Sequence, residues 1–178
     1  MNIPRILQNL NLSDGLVVRE ATAEDQVFLK SLFCATRDYL YSLPLPQAQL
    51  DVLVQQQFLS QQIGYAEQFP RAVNCIIERK GASEGNKSVG KLMLAEFEKK
   101  MHIVDVALLP EVRSQGCGTG LLRQLQQHAG AENHMISLAV DRQNIRAKQF
   151  YVALGFKCIA TSETHETMVW QGALEVRE

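Results

Sequence analysis

The sequence has no excess of charge of either sign and no long hydrophobic segment. Its 178 residues carry 18 lysines and arginines against 19 aspartates and glutamates, which gives a net charge of −1. A nucleic-acid-binding domain usually carries a basic excess or stripe, so this class is not favoured. The chain has no run of about 18 apolar residues and no apolar stretch typical of a signal peptide. We therefore expect a soluble, cytoplasmic protein that neither crosses a membrane nor binds nucleic acid.

Cysteine is also scarce. The cysteines are Cys34, Cys75, Cys117 and Cys158, and no two of them have CxxC spacing. In a chain of this length, such a distribution predicts reduced thiols rather than a disulfide framework or a zinc site. We expect no bound metal.

The length and composition favour one globular domain. Domains usually contain roughly 50 to 250 residues, and a hydrophobic content of 46% is enough to build one core. The sequence has no internal repeat and no segment with the composition of an interdomain linker. We expect a single domain over residues 1–178, with a leader segment over 1–15 and a core over about 16–172.

Apolar periodicity and turn residues predict a mixed α/β fold. The predicted order is a strand, two helices, three strands, a helix, a strand, a helix and two strands. A helix is predicted to begin at Thr22, which with Asp25 resembles a capping box. The glutamine-rich segment 47–68 has the spacing of an amphipathic helix. Two apolar strands, 89–96 and 101–108, precede a glycine-rich loop.

Two of the predicted helices have less regular patterns. The apolar face of the helix after Thr22 is predicted to contain Val27, Phe28, Leu32, Phe33 and Leu40. The helix after Asp141 is predicted to carry Ile145, Phe150, Val152 and Leu154 among its apolar residues, and to end at Gly155.

The glycine-rich loop PEVRSQGCGTGLL, residues 110–122, joins a strand to a helix. Its glycines let the backbone approach a ligand, and a helix start exposes unpaired N–H groups with partial positive charge. Such a loop is typical of a phosphate site, although a turn without a ligand is also open. The dinucleotide pattern GxGxxG has Asp141 at a suitable distance, but Leu121 stands in place of its third glycine. The Walker pattern is absent.

The same loop resembles the acetyl-CoA signature of the GNAT superfamily of N-acetyltransferases. That signature is Gln or Arg, two residues, Gly, one residue, and then Gly or Ala. Arg113, Gly116 and Gly118 fill it, and Gln115, Gly118 and Gly120 fill it again. A second family motif, Asn-x-x-Ala-x-x-apolar-Tyr-x-x-x-Gly-Phe, is matched by Asn144, Ala147, Phe150, Tyr151, Gly155 and Phe156.

The resemblance, which covers about residues 89–156, implies acetyl transfer from acetyl-CoA to an amine by direct attack in a ternary complex. The backbone amides across 115–120 would hold the coenzyme A pyrophosphate, and the pantetheine would pair with the strand near Leu108. Asn144 would contact the cofactor or cap its helix. The resemblance also allows a homodimer. The implied cofactor-binding residues are Leu108, Arg113, Gln115, Gly116, Cys117, Gly118, Thr119, Gly120 and Asn144.

Amine acetylation requires the amine to lose a proton and the leaving thiolate to gain one. The resemblance implies Tyr151 as the donor to the thiolate. Asp105, a carboxylate among apolar strand residues, is the candidate base or a substrate contact, with Glu96 in reserve. Cys117 is not expected to act as a nucleophile, because no His–Asp pair is placed to orient it.

Two other functions remain open from the sequence. The same fold could bind acyl-CoA as a sensor or interaction module without turnover, and the reaction could use a longer acyl chain or a hydroxyl acceptor. The acceptor itself is not specified, because the first two helices and the last hairpin select it in this fold.

Overall fold

The computed structural model describes residues 15–81 and 85–172, so the predicted leader lies almost entirely outside the described residues. The mixed α/β fold and its element order are confirmed. Short 3-10 turns precede the first three helices. The elements are β1 (Leu16–Glu20), α1 (Gln26–Ala35), α2 (Gln47–Gln68), β2 (Val73–Arg79), β3 (Lys87–Phe97), β4 (Lys100–Leu108), α3 (Cys117–Ala131), β5 (Met135–Asp141), α4 (Ile145–Ala153), β6 (Lys157–Thr161) and β7 (His165–Gln171).

The strands form a seven-stranded sheet in the order β1-β2-β3-β4-β5-β7-β6. Only the β4–β5 pair is parallel, and it joins residues 100–103 to residues 135–138. Beyond Ile103, β4 remains paired with β3, while β5 remains paired with β7. The two parallel strands therefore separate at their carboxyl ends and leave a gap in the middle of the sheet.

A β-bulge marks the point where the strands separate. Met93 on β3 lies opposite Asp105, whereas Leu94 lies opposite Ile103, so Val104 is an extra residue on β4. A bulge bends its strand and increases the local twist. The second half of β4 is thus turned relative to the half that pairs with β5.

Helices cover both faces of the sheet. Ile76 packs in a cluster with residues of α1 and α2, including Phe33 and Phe58. Its neighbours Cys75 and Ile77 pack in a second cluster, which contains the apolar face of α3. Because successive strand residues point to opposite faces, α1 and α2 lie on one face and α3 lies on the other.

The glutamine-rich helix α2 is amphipathic, as predicted. Its buried residues are Leu50, Val54 and Phe58, which recur every fourth position and so share one face. Within residues 15–81 and 85–172, neither α2 nor any other helix is long and apolar enough to cross a membrane.

Four apolar positions predicted for helix faces are exposed instead, and one of them is Leu59 on α2. Val27 on α1 is 81% exposed, because α1 presents Leu29, Leu32 and Phe33 to the core and Val27 lies on another face. Ile145 and Val152 on α4 are also exposed. Leu40 is buried, but it lies on the 3-10 turn Asp38–Ser42 after α1 has ended.

Gly90 on β3 is required by close packing against the second half of β4. A Cβ atom at Gly90 would lie 2.5 Å from the carbonyl oxygen of Ala107 and 2.6 Å from Leu108 Cδ2. The change Gly90→Ala is therefore expected to lower the free energy of unfolding by about 1–3 kcal/mol, the usual range for overpacking. Denaturant titration measures this loss.

The matched control is Gly64→Ala on α2, where a Cβ atom would meet nothing within 4 Å. Alanine is favoured over glycine in a helix by about 1 kcal/mol, so this variant should be at least as stable as the parent. Equal stability of the two variants would contradict the packing argument.

Candidate functional site

The gap between β4 and β5 opens into a cleft of about 960 Å³. Residues of α1 and its following turn, the second half of β4, the start of α3 and helix α4 form its walls. Since α1 and α3 lie on opposite faces, the cleft runs through the sheet. The predicted site residues that line it are Asp105, Leu108, Arg113, Gly116, Gly118, Thr119, Asn144 and Tyr151.

The glycine loop forms one end of the cleft. Ser114 and Gly116 have left-handed backbone conformations, with φ of 59° and 83°. Left-handed residues that alternate with right-handed ones turn successive N–H groups into a common concavity, which suits an anion. The first hydrogen bond of α3 runs from Gly120 N–H to the Gly116 carbonyl at 2.8 Å. The preceding amides of the helix have no carbonyl one turn earlier and carry partial positive charge.

Three predicted cofactor-binding residues do not line the cleft. The Gly120 amide is occupied inside the helix, so Gly120 does not belong to the anion concavity. The Gln115 side chain donates to the Glu111 carbonyl and accepts from Arg79, and the Cys117 side chain is buried with its Sγ 3.2 Å from Arg79 Nη2. Gln115 and Cys117 can therefore offer only their backbone amides.

Two arginines stand at this end of the cleft. Arg113 donates from Nε to the Leu108 carbonyl at 2.9 Å, which holds its guanidinium beside the loop. Arg146 on α4 donates from Nη2 to Ser114 Oγ at 3.2 Å. Arg146 is not among the residues predicted from the sequence, although it lies two residues after Asn144 in the second motif. Asn144 caps α4 as predicted, because its Oδ1 accepts from the Ala147 N–H at 3.1 Å.

The second half of β4 presents an open backbone edge to the cleft. Leu109 N–H donates to the Val89 carbonyl on β3 at 2.9 Å. Because backbone groups of successive strand residues point to opposite sides, those of Leu108 point into the gap, as do those of Val106. Arg113 occupies the Leu108 carbonyl, and the Leu108 N–H and the Val106 groups remain for an extended ligand.

Asp105 belongs to a cluster of three side chains from three elements. Its Oδ2 lies 2.6 Å from Lys91 Nζ on β3 and accepts a hydrogen bond of 3.2 Å from the Tyr65 hydroxyl on α2. Burial raises the pKa of Tyr65 above its ordinary value, and the Asp105 charge adds to the rise. Lys91 could have been identified from the strand register. It lies two residues from Met93, the β3 partner of Asp105, and therefore on the same face of the sheet. No local signal identified Tyr65.

Tyr151 lies on α4 between two aromatic neighbours and lines the same cleft. Its ring centroid is 5.5 Å from that of Phe150 and 5.7 Å from that of Phe156. Burial raises the pKa of Tyr151 to about 12, and the negative charge of Asp105 acts in the same direction. The hydroxyl is therefore protonated at neutral pH and can donate a hydrogen bond.

The reserve candidate Glu96 and the residue His102 do not line the cleft. Glu96 lies on β3 beside the amino-terminal end of β4 and is exposed. Partial burial and the Glu132 charge raise the pKa of Glu96. The His102 ring contacts Ser137 Oγ at 2.8 Å and stacks on Phe69 with centroids 5.0 Å apart. Burial lowers the His102 pKa. Neither side chain can act in the cleft from these positions.

Comparison with protein families matches residues 38–156 to the acetyltransferase (GNAT) family. The match covers more than half of the chain and includes the glycine loop, the open edge of β4 and Tyr151. The chain therefore belongs to the GNAT acetyltransferase family. A comparison with the curated proteins found no match.

Solved structures share the fold at low sequence identity. PaiA N-acetyltransferase from Thermoplasma acidophilum, in complex with coenzyme A, has a TM-score of 0.61 and 18% identity, covering 88% of this chain and 98% of that one. Spermidine N-acetyltransferase from Vibrio cholerae, in complex with CoA and spermine, has a TM-score of 0.58 and 16% identity, covering 88% and 94%. These likenesses establish the fold.

The protonation of Tyr151 can be tested by titrating its phenol. The measurement is the phenolate absorbance of the parent minus that of Tyr151→Phe. We expect this difference to stay near zero up to about pH 10, the ordinary pKa of tyrosine, and to rise only toward pH 12. Because the unfolded phenol ionises first, stability decreases between these pH values, and circular dichroism should verify folding at each point. A difference midpoint at or below pH 10 would contradict the burial argument.

Proposed function

We propose that this protein transfers an acetyl group from acetyl-CoA to an amine by direct attack in a ternary complex. The observation that carries the proposal is the single cleft through the sheet, which holds an anion concavity, an open strand edge and a protonated tyrosine. These are the three features that a phosphate-bearing, amide-containing thioester requires. The membership of the chain in the GNAT family supports the same conclusion.

In this proposal, the glycine loop binds the pyrophosphate of coenzyme A. The amides from Gln115 to Thr119 donate hydrogen bonds, and the charges of Arg113 and Arg146 reinforce them. Leu108 and Val106 bind the pantetheine as an added strand. Asn144 holds the start of α4, which carries Arg146 and Tyr151, at a fixed position beside the loop.

The chemical step is assigned to Tyr151 and Asp105. The amine nitrogen forms a bond to the acetyl carbon while the carbon–sulfur bond breaks. Tyr151 donates a proton to the departing thiolate, and a proton of the amine passes to Asp105, directly or through water. Since Lys91 and Tyr65 both contact Oδ2 of Asp105, Oδ1 is the oxygen that receives the proton.

Binding of acyl-CoA without turnover is the alternative, and the Lys91–Asp105 ion pair favours it. Lys91 Nζ lies 2.6 Å from Asp105 Oδ2, so this oxygen is engaged in an ion pair and is not free to receive a proton from an amine. The two functions share the coenzyme A site and differ only in thiol release. Both are therefore tested on the same preparation.

Coenzyme A and acetyl-CoA are expected to raise the melting temperature, whereas NAD is not. A ligand at a hundredfold excess over its Kd stabilises by about 2.7 kcal/mol, which corresponds to roughly 5–10 °C for a chain of this size. Differential scanning fluorimetry measures the shift. A shift with NAD and none with coenzyme A would exclude the proposed site.

A matched pair of glycine variants locates this binding. Alanine at Gly116, where φ is 83°, strains the concavity and should reduce the shift given by coenzyme A. Alanine at Gly64 on α2 should leave that shift unchanged.

Replacing Tyr151 by phenylalanine is expected to lower kcat by roughly 10²–10⁴-fold, because the thiolate loses its proton donor, while the Kd for coenzyme A changes little. Thiol release from acetyl-CoA with a panel of amines measures turnover, and calorimetry measures Kd. The control is Tyr41→Phe, a tyrosine outside the walls of the cleft.

The same measurements separate the alternatives. An equal loss of turnover and affinity would assign Tyr151 to binding. Coenzyme A binding without thiol release from any amine, peptide or polyamine would support the sensor function.

A further inference from the structure

The end of the cleft opposite the glycine loop has two cationic side chains and one carboxylate among its described residues. This acceptor end is formed by Phe33, Arg37 and Tyr39, from α1 and the turn that follows it, together with Lys91 and Asp105 on the sheet. Its role as the acceptor side rests on the proposed function, which assigns the glycine loop to coenzyme A. Because the cleft passes through the sheet, the acceptor would approach from the face covered by α1 and α2.

Arg37 is a positioned cation at the acceptor end. Its guanidinium carbon lies 3.9 Å from the centroid of the Phe33 ring, a cation–π contact that holds the group over the ring. Among the side chains that the structure describes, no carboxylate forms an ion pair with it, and it makes only a 3.4 Å contact with Thr36 Oγ1. Arg37 lines the same cleft as Lys91 and Asp105, and its charge opposes part of the rise in the pKa of Tyr65.

The negative charge at this end is already compensated. Asp105 is the one carboxylate among the described residues that form the acceptor end, and Lys91 Nζ lies 2.6 Å from it. The other carboxylate lining the cleft, Asp141, belongs to β5 and accepts the Gln143 N–H at 2.7 Å. With Lys91 and Asp105 paired, the charge of Arg37 has no counterpart among the described carboxylates that line the cleft at this end. A polyamine would thus meet net repulsion.

A second cavity extends the acceptor end between α1 and α2. It has a volume of about 410 Å³ and shares Phe33 and Arg37 with the cleft. Its remaining walls carry amides, a hydroxyl and one leucine, and no acidic side chain: Leu53, Gln56, Gln57, Ser60 and Gln61. Arg37 therefore stands between the space for the reacting amine and a neutral polar space for the rest of the acceptor.

We propose that the acceptor is an amine that also carries an anionic group, a carboxylate or a phosphate, which Arg37 binds while the amine faces Asp105 and Tyr151. A guanidinium presents parallel N–H donors that match both groups. The rest of the acceptor lies against the glutamines and serine of α2. An amino acid, a short peptide or a phosphorylated amino sugar has this chemistry, whereas spermidine does not.

The test compares acceptors that differ only in the anionic group. Leucine and phenylalanine are paired with their C-terminal amides, glucosamine 6-phosphate is paired with glucosamine, and spermidine is included. Thiol release gives kcat/KM for each with the parent protein, Arg37→Gln, Arg37→Glu and the exposed control Arg123→Gln. Since the amine pKa differs within a pair, each kcat/KM is calculated from the concentration of free amine before the two members are compared.

The parent should prefer the anionic member of at least one pair, and the pair concerned distinguishes carboxylate from phosphate recognition. Arg37→Gln should reduce that preference by about 10–100-fold, mainly through KM, because a charge-assisted hydrogen bond is lost. Arg37→Glu should raise the relative rate with spermidine. Arg123→Gln should keep the parental preference.

A parental preference for neutral amines or spermidine, or one unchanged in Arg37→Gln, would overturn the proposal and leave the acetyltransferase function intact. Loss of coenzyme A binding altogether would overturn the proposed function itself. If coenzyme A binds without turnover, calorimetry is used to measure whether the CoA-bound protein binds each member of the same pairs. Binding of an anionic member that disappears in Arg37→Gln supports the proposal, and no binding overturns it.

Discussion

The separation of β4 from β5 is the constraint on which the rest of the structure depends. The two strands share only four residue pairs, after which each keeps its partner on the other side. The backbone groups on the free edge of β4 would be costly to bury without partners. A cleft open to solvent or to an extended ligand satisfies them. The start of α3 and the helix α4 line this cleft.

The negative charge of Asp105 acts on two tyrosines, one of which is the candidate acid Tyr151. It contributes to the rise in the pKa of both Tyr65 and Tyr151, although these tyrosines belong to helices on different sides of the gap. The same carboxylate is stabilised by Lys91. In the proposed reaction, the negative charge of Asp105 favours the protonated form of Tyr151, which is the form that donates a proton to the thiolate.

The parts of the site that could be predicted are those encoded in contiguous sequence. The glycine loop and the motif from Asn144 to Phe156 each lie within about a dozen residues, and their local geometry follows from helix starts and left-handed turns. The cluster of Lys91, Asp105 and Tyr65 joins three elements and depends on strand register and helix placement. Apolar periodicity could not show that Val27 lies away from the core, because an apolar residue on a helix is buried only where another element covers it.

The acceptor end depends on core packing in a way that the coenzyme A end does not. Phe33, which supports the Arg37 guanidinium, is only 5% exposed and packs edge-on against Phe58 with centroids 5.4 Å apart. A cation resting on a core ring has less freedom than one on an exposed stem, so the position of Arg37 is set by the contact of α1 with α2. Acceptor preference would then change through substitutions in the helices that cover one face of the sheet. The glycine loop, which is built on α3 at the other face, would keep its geometry.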